Sequence, residues 1–197
     1  MLFCIFKVWN RIELHGAKHL PARPQGFILA ANHASYLDPP VLGGRIPRQL
    51  GFMAKERLFK IPVLKHIIVW LGALPIAGDD EFKTMRTVIR ALKSGRAVVI
   101  FPEGTRSFTE EFLEPQPGVA FLAHAAGVPI VPCYIEGTAK AWPKGKKSFR
   151  PVKIRVFVGE PIPVASGRIE DKVAYYEKTA RLVMSRISDL KTQSQHA

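Results

Sequence analysis

Short apolar runs alternate along this chain with amphipathic stretches, and that alternation narrows the possible folds more than any other feature. Residues 26–31 (GFILAA), 50–54, 97–101 (AVVIF), 129–133 and 154–158 (IRVFV) each read as a buried strand bounded by turn-forming residues. Between them, residues 82–93 set Met85, Val88, Ile89 and Leu92 on one helical stripe, which Ser94-Gly95 terminates. Residues 119–126 read as a second helix closed by Gly127, and 169–190 as a third, with Val173, Tyr176, Ala180, Val183, Met184 and Ile187 on one face. Strands alternating with helices predict an α/β domain. A length of 197 residues suits one domain with a proper core. No internal repeat or low-complexity segment interrupts it.

Two of the strands run straight into chemically pointed segments. The first, Asn32-His33-Ala34-Ser35-Tyr36-Leu37-Asp38, sets an imidazole five residues ahead of a carboxylate. A general base needs such a partner to fix its tautomer and hold the imidazolium that forms. In a continuous helix the two side chains would point about 140° apart. Pro39 and Pro40 prevent that helix from reaching back to His33, because a residue before proline avoids the helical region while proline suits a first turn. Asp38 is then expected as an N-cap, with the preceding loop curled so that its carboxylate meets the imidazole. The plainer alternative is that Asp38 only caps and His33 is an ordinary loop residue.

The second segment, Phe101-Pro102-Glu103-Gly104-Thr105-Arg106-Ser107, carries a guanidinium beside small and hydroxyl-bearing residues. That combination suits a phosphate: Arg106 forks onto two oxygens, Gly104 lets the backbone approach, and Thr105 and Ser107 offer hydroxyls and amides. A simple turn in which Glu103 pairs with Arg106 is the alternative. Together the two segments point to chemistry on a hydroxyl of a phosphorylated molecule. Both follow strands, and ligands gather beyond the carboxyl ends of strands in open α/β sheets.

Lys and Arg number 29 against 16 Asp and Glu, a formal net charge of +13, which favours anionic partners. Residues 1–78 hold ten basic and three acidic groups, and 140–155 hold seven basic and none acidic. A lipid surface or an acidic carrier protein fits this pattern. Nucleic acid is the weaker option, since the aromatic residues are not interleaved with the basic ones in an RNA-binding pattern and no zinc-finger spacing occurs. Cys4 and Cys133 form no close-spaced metal or redox pair, which fits a reducing cytosol. The apolar start of the chain has no basic region before it and no small-residue cleavage site, so it is not a secretory signal. The longest apolar stretch, 61–76, carries Lys65, His66 and Pro75 and falls short of the roughly 20 residues a spanning helix needs. Peripheral attachment at the cytoplasmic membrane face is expected, through residues 1–9 and the basic surface. With a first strand expected only at residue 26, little room is left for an N-terminal membrane helix pair.

The segments at 33–38, 51–62, 101–107 and 128–132 occur in the order of the four motif blocks of the glycerophospholipid acyltransferases, and the chain resembles that family over about residues 27–138. The family includes the lysophosphatidic acid acyltransferases. The resemblance implies one α/β domain spanning the chain, with a mixed, mostly parallel central sheet flanked by helices. It implies transfer of a fatty acyl group from an acyl-carrier protein or coenzyme A thioester to a glycerol hydroxyl, with no metal, cofactor or covalent acyl-enzyme. His33 is then the base and Asp38 its orienting partner. Glu103, Gly104, Thr105 and Arg106 bind the glycerol phosphate, with Lys55 as a second phosphate contact and Pro129 shaping the substrate wall. Glu103 either orients Arg106 or holds a glycerol hydroxyl. Residues 64–74 are a candidate lining for acyl chains, although core packing explains them equally well.

The chain departs from the family at Pro115-Gln116-Pro117-Gly118, where a basic residue often precedes the glycine, and after residue 75, where arginine often follows but Asp79-Asp80-Glu81 comes next. Both remove positive charge near the presumed head-group site and leave the acceptor open between lysophosphatidic acid, glycerol 3-phosphate and another lysolipid such as an ornithine lipid precursor. A catalytically silent membrane-binding module is the reading from another class, and it has no use for both His33 and Asp38. A serine hydrolase fits less well still, with no Gly-x-Ser-x-Gly elbow and no partner for Ser107 argued from spacing.

Overall fold

The structure, a computed structural model, describes residues 11–55, 59–70, 72–76, 80–107, 111–142 and 150–196, without the side chains at 55, 63, 64, 67, 70, 75 and 76. Its centre is a seven-stranded sheet. The strands are β1 (Ile12–His15), β2 (Phe27–Ala31), β3 (Leu50–Lys55), β4 (Ala73–Ile76), β5 (Ala97–Ile100), β6 (Ile130–Glu136) and β7 (Ile154–Val158). Their order across the sheet is β1-β7-β6-β2-β5-β3-β4. The five from β6 to β4 are mutually parallel, while β7 pairs antiparallel with β6 and parallel with β1. The expected mixed, mostly parallel sheet is the one observed.

The central strands are apolar throughout because both faces are covered. In β2, Phe27, Leu29 and Ala31 join one core cluster, with Val41 and Leu42 of helix α1 (Asp38–Arg45). Ile28 and Ala30 point the other way, into a cluster with Val88 and Leu92 of α3 (Glu81–Lys93), Leu122 of α4 (Gly118–Ala126) and Val183 and Ile187 of α6 (Lys172–Ser194). Helix α2 (Pro62–Trp70) and the single turn α5 (Thr138–Ala141) complete the element order. Local chemistry sets several helix ends. Asp80 caps α3 by accepting from the Lys83 amide at 2.9 Å, and Asp171 caps α6 by accepting from Ala174 at 3.0 Å. Gly127, at φ 67°, closes α4 in the left-handed conformation that glycine takes without strain.

Two strands escaped the sequence reading, and both are edges. Among the described residues β1 pairs only with β7, and its IELH sequence is only partly buried. Among them β4 likewise pairs only with β3, and it contains Pro75, which an edge tolerates because one side of the ladder is unfilled. β1 therefore begins the sheet well before residue 26. The expected apolar contact at residues 1–9 lies outside the described residues. Among the described residues no helix is long and apolar enough to cross a membrane.

Candidate active site

Strands β2, β5 and β6 lie side by side and parallel, so the segments leaving their carboxyl ends converge at one end of the sheet. The segment after β2 carries the imidazole. His33 Nδ1 lies 2.8 Å from Asp38 Oδ2, and the same oxygen accepts the backbone N–H groups of Ala34 and Ser35, each at 2.8 Å. Asp38 is completely buried, while the His33 side chain retains 18% exposure. A neutral ring whose Nδ1 faces a carboxylate carries its proton there, leaving the Nε2 lone pair as acceptor. The His33 ring is stacked on Phe101, centroids 3.9 Å apart and planes inclined by 14°. The hydrogen bond and the stacking hold the ring in one orientation, with part of it exposed.

The expected role of Asp38 as an N-cap is corrected by this geometry. Asp38 is the first residue of α1, and its carboxylate makes no cap hydrogen bond to the helix. The next two residues are prolines, which have no N–H to be capped. The carboxylate turns back instead to the imidazole and the two amides before it, so the curl foreseen in the loop is present and the cap is not.

The segment after β5 is tied to the first through main-chain groups. The His33 N–H donates to Glu103 Oε1 at 2.9 Å, the Leu113 N–H donates to Glu103 Oε2 at 3.0 Å, and the Ser107 N–H donates to the His33 carbonyl at 2.9 Å. Glu103 is 4% exposed, so it serves chiefly as a buried strut between two loops. Arg106 lies over the ring of Tyr36, its guanidinium carbon 3.5 Å from the centroid. Gly104, at φ 69°, adopts the left-handed conformation with only the Gln116 side chain near where a Cβ would be. Thr105 is exposed beside it. Arg106, Gly104 and Thr105 thus belong to the loop that is hydrogen-bonded to His33.

Lys55 ends β3 at the same end of the sheet, and its side chain lies outside what the structure describes. Pro129 is not brought to the site. Its carbonyl accepts from the Ile28 N–H at the amino end of β2, five residues and roughly 16 Å of extended chain before His33. Of residues 64–74, Leu74 is buried in the core and Val69 is exposed on α2. The apolar pocket beside the site is built elsewhere, from Met53, Met85, Val88, Ile100, Phe101, Val119 and Leu122, with a volume of about 390 Å³.

Several site residues carried no signal of their own in the sequence. Asn32 pairs its side chain with both the N–H and the carbonyl of Ile135, at 2.7 and 3.1 Å, locking the end of β2 to β6. Ser35 donates to the Trp142 carbonyl at 3.0 Å. Phe101 and Tyr36 sit inside the two motif segments, and only their partners across the loops reveal what they do. Among the described residues, no three His, Cys, Asp or Glu side chains gather where they could hold a metal ion.

A family model described as "Acyltransferase" matches residues 11–136. The chain belongs to the acyltransferase family. It is 31% identical over 160 residues to a 1-acyl-sn-glycerol-3-phosphate acyltransferase of Bacillus subtilis strain 168, a match that covers 80% of this chain and 77% of that one. It is 28% identical over 156 residues to the chloroplastic 1-acyl-sn-glycerol-3-phosphate acyltransferase LPAT1 of Arabidopsis thaliana, covering 77% of this chain and 44% of that protein. The chain spans about half the length of the plant relatives it matches. Among solved structures, the 1-acyl-sn-glycerophosphate acyltransferase PlsC of Thermotoga maritima superposes with a TM-score of 0.77 at 29% identity, over 96% of this chain and 75% of that one. This acyltransferase therefore has the α/β architecture of a solved relative. The segments beyond residue 136, including α5 and α6, lie outside the family match.

Proposed function

We propose that this acyltransferase moves a fatty acyl group from a thioester, carried by coenzyme A or acyl-carrier protein, to the free hydroxyl of lysophosphatidic acid, giving phosphatidic acid. The observation that carries the reading is the His33–Asp38 hydrogen bond beside the loop of Arg106. His33 Nε2 takes the hydroxyl proton as the oxygen attacks the thioester carbonyl. The new C–O bond forms as the C–S bond breaks, and the imidazolium returns the proton to the departing thiolate. Asp38 holds the ring and stabilises the imidazolium. The step needs no cofactor beyond the two substrates. Holding those substrates together contributes about 7–11 kcal/mol, and the base a further hundredfold or more.

Arg106 grips the acceptor phosphate with the Gly104 and Thr105 backbone, and Lys55 adds a second positive charge. Glu103 acts through His33 by fixing its main chain. The apolar pocket beside Phe101 takes the acyl chain, at about 0.8 kcal/mol per buried methylene. The resemblance in name of the relatives to enzymes acting on 1-acyl-sn-glycerol 3-phosphate supports this acceptor. In this reading the protein works peripherally at the cytoplasmic membrane face, which its +13 charge supports by favouring anionic lipid.

Purified protein given an acyl thioester and lysophosphatidic acid is expected to form phosphatidic acid, and His33→Ala to lower turnover by about a hundredfold or more. Undiminished turnover in that variant would remove the base from the mechanism. An acceptor panel with and without phosphate, run beside Arg106→Ala, fixes the acceptor class: loss of the variant's defect on phosphate-free acceptors is expected.

A further inference from the structure

Between His33 and Asp38 the chain turns one large side chain outward. Ser35 and Leu37 are buried, whereas Tyr36 between them is 59% exposed. Hydrogen bonds on both sides fix this turn. The Ser35 N–H donates to Asp38 Oδ2 at 2.8 Å, the Leu37 N–H donates to the Ser35 hydroxyl at 3.2 Å, and that hydroxyl donates to the Trp142 carbonyl at 3.0 Å. A ring kept out of the core gains little from burial, so its position has to be explained by what it touches.

What the ring touches is a cation. The guanidinium carbon of Arg106 stands 3.5 Å from its centroid, and Trp142 is tilted against it, with centroids 5.8 Å apart and planes at 49°. At 3.5 Å a steeply tilted guanidinium would drive a nitrogen into the ring, so the group lies roughly along the ring plane. Stacking of this kind fixes the guanidinium without taking up any of its N–H groups. A long side chain laid down in advance has less rotamer freedom to lose when a ligand arrives. Tyr36 also shares its turn with His33, so the ring that orients the cation is held by the same short segment as the base.

We propose that Tyr36 is a positioning residue for the acceptor: it lays Arg106 flat, directs the guanidinium fork, and so sets the preference for acceptors that carry a phosphate. The inference rests on the reading of Arg106 as the phosphate ligand. Tyr36 itself touches neither the reacting hydroxyl nor the thioester in this scheme, and it acts through Arg106.

The test uses the full chain with two soluble short-chain acceptors, a lysophosphatidic acid and the matching monoacylglycerol without phosphate, so that membrane contact does not enter. Tyr36→Leu keeps an apolar side chain and removes the ring. It is expected to raise KM for the lysophosphatidic acid by about three- to tenfold, with kcat within about twofold of the wild type. KM for the monoacylglycerol is expected to stay unchanged. Tyr36→Phe, which keeps the ring, is expected to behave as the wild type does. In an Arg106→Ala background the Tyr36→Leu change is expected to add nothing further, because the two residues act as one unit. Circular dichroism confirms that each variant is folded. A fall in kcat at unchanged KM, an equal defect on both acceptors, or full additivity with Arg106→Ala would overturn the role. A defect seen only with vesicle-borne acceptor would overturn it as well, by making Tyr36 a membrane contact. Failure of the underlying reading looks different: Arg106→Ala alone would then leave KM for the lysophosphatidic acid unchanged, and the proposal would fall with it.

Discussion

Asp38 decides how the imidazole behaves, since one of its oxygens receives the ring nitrogen and two amides at the same 2.8 Å. Asparagine at this position keeps an oxygen for those three donors but gives up the charge and sets an NH2 where the other, buried carboxylate oxygen has no partner among the described residues. Asp38→Asn is therefore expected to lose about 1–3 kcal/mol of stability to urea while kcat falls by about a hundredfold or more, measured by product formation with saturating substrates. The five-residue spacing made the pair legible in the sequence, because the prolines after Asp38 stop the helix from separating it from His33. The two amides that share the carboxylate, and the absence of a cap, were not legible, since which amides a carboxylate finds depends on the loop's path. A second residue, Cys133, gives a pH signature. It is buried in β6, and desolvation, with a smaller contribution from the Asp38 charge, pushes its thiol far above its ordinary value of 9.0. A group whose folded value is raised adds stability below its unfolded value and loses it as pH climbs toward the folded one. Stability to urea is thus expected to fall above about pH 9, by up to about 1.4 kcal/mol per pH unit, and Cys133→Ala to flatten that slope relative to the wild type.

The strands and helices that carry the site were easier to read than the edges. Five core strands declared themselves through continuous apolar runs, and β2 shows why: alternate side chains enter different core clusters, so every position must be apolar. β1 lacks that signature, its IELH sequence being only partly buried, whereas the apolar ALPI of β4 is hidden in the longer apolar stretch at 61–76 that also contains α2. Glu103 shows the limit at this scale. Its carboxylate joins amides 70 and 10 residues away, and no local spacing announces partners at such distances. Removing it in Glu103→Ala leaves two amides without their acceptor, at a cost of about 1–3 kcal/mol for each one that stays buried. A lower urea midpoint is expected, together with a reduced kcat and little change in the acceptor KM, because both Glu103 oxygens are engaged by the amides of His33 and Leu113. A raised acceptor KM at unchanged kcat would instead assign it to the ligand.

Across the whole molecule, the parallel order of β2, β5, β3 and β4 sends the segments that follow them to one end, and with them four exposed apolar side chains, Tyr36, Ile61, Phe82 and Leu113. Phe82, 76% exposed on the first turn of α3, is the most prominent. Lys60, Lys65, Lys83 and Arg86 are exposed along the same end, beside Asp80, Glu81 and Glu114. Phe82→Asp is expected to weaken sedimentation with anionic vesicles and to slow turnover of vesicle-borne acceptor, while turnover of a soluble short-chain acceptor stays intact. Added salt is expected to reduce vesicle binding as well, since exposed charges are screened within about 8–10 Å at ordinary ionic strength. The net charge was plain in the sequence, but its distribution was not, because distant segments meet only through the sheet order. The two hydrogen bonds that join the His33 and Glu103 loops, from the His33 N–H to Glu103 and from the Ser107 N–H to the His33 carbonyl, have a last consequence. They fix the gap between the proton acceptor and the guanidinium during folding, like the jaws of a spanner that does not adjust. A lysolipid whose alcohol stands too far from its anionic end will be turned over slowly, however tightly it is held.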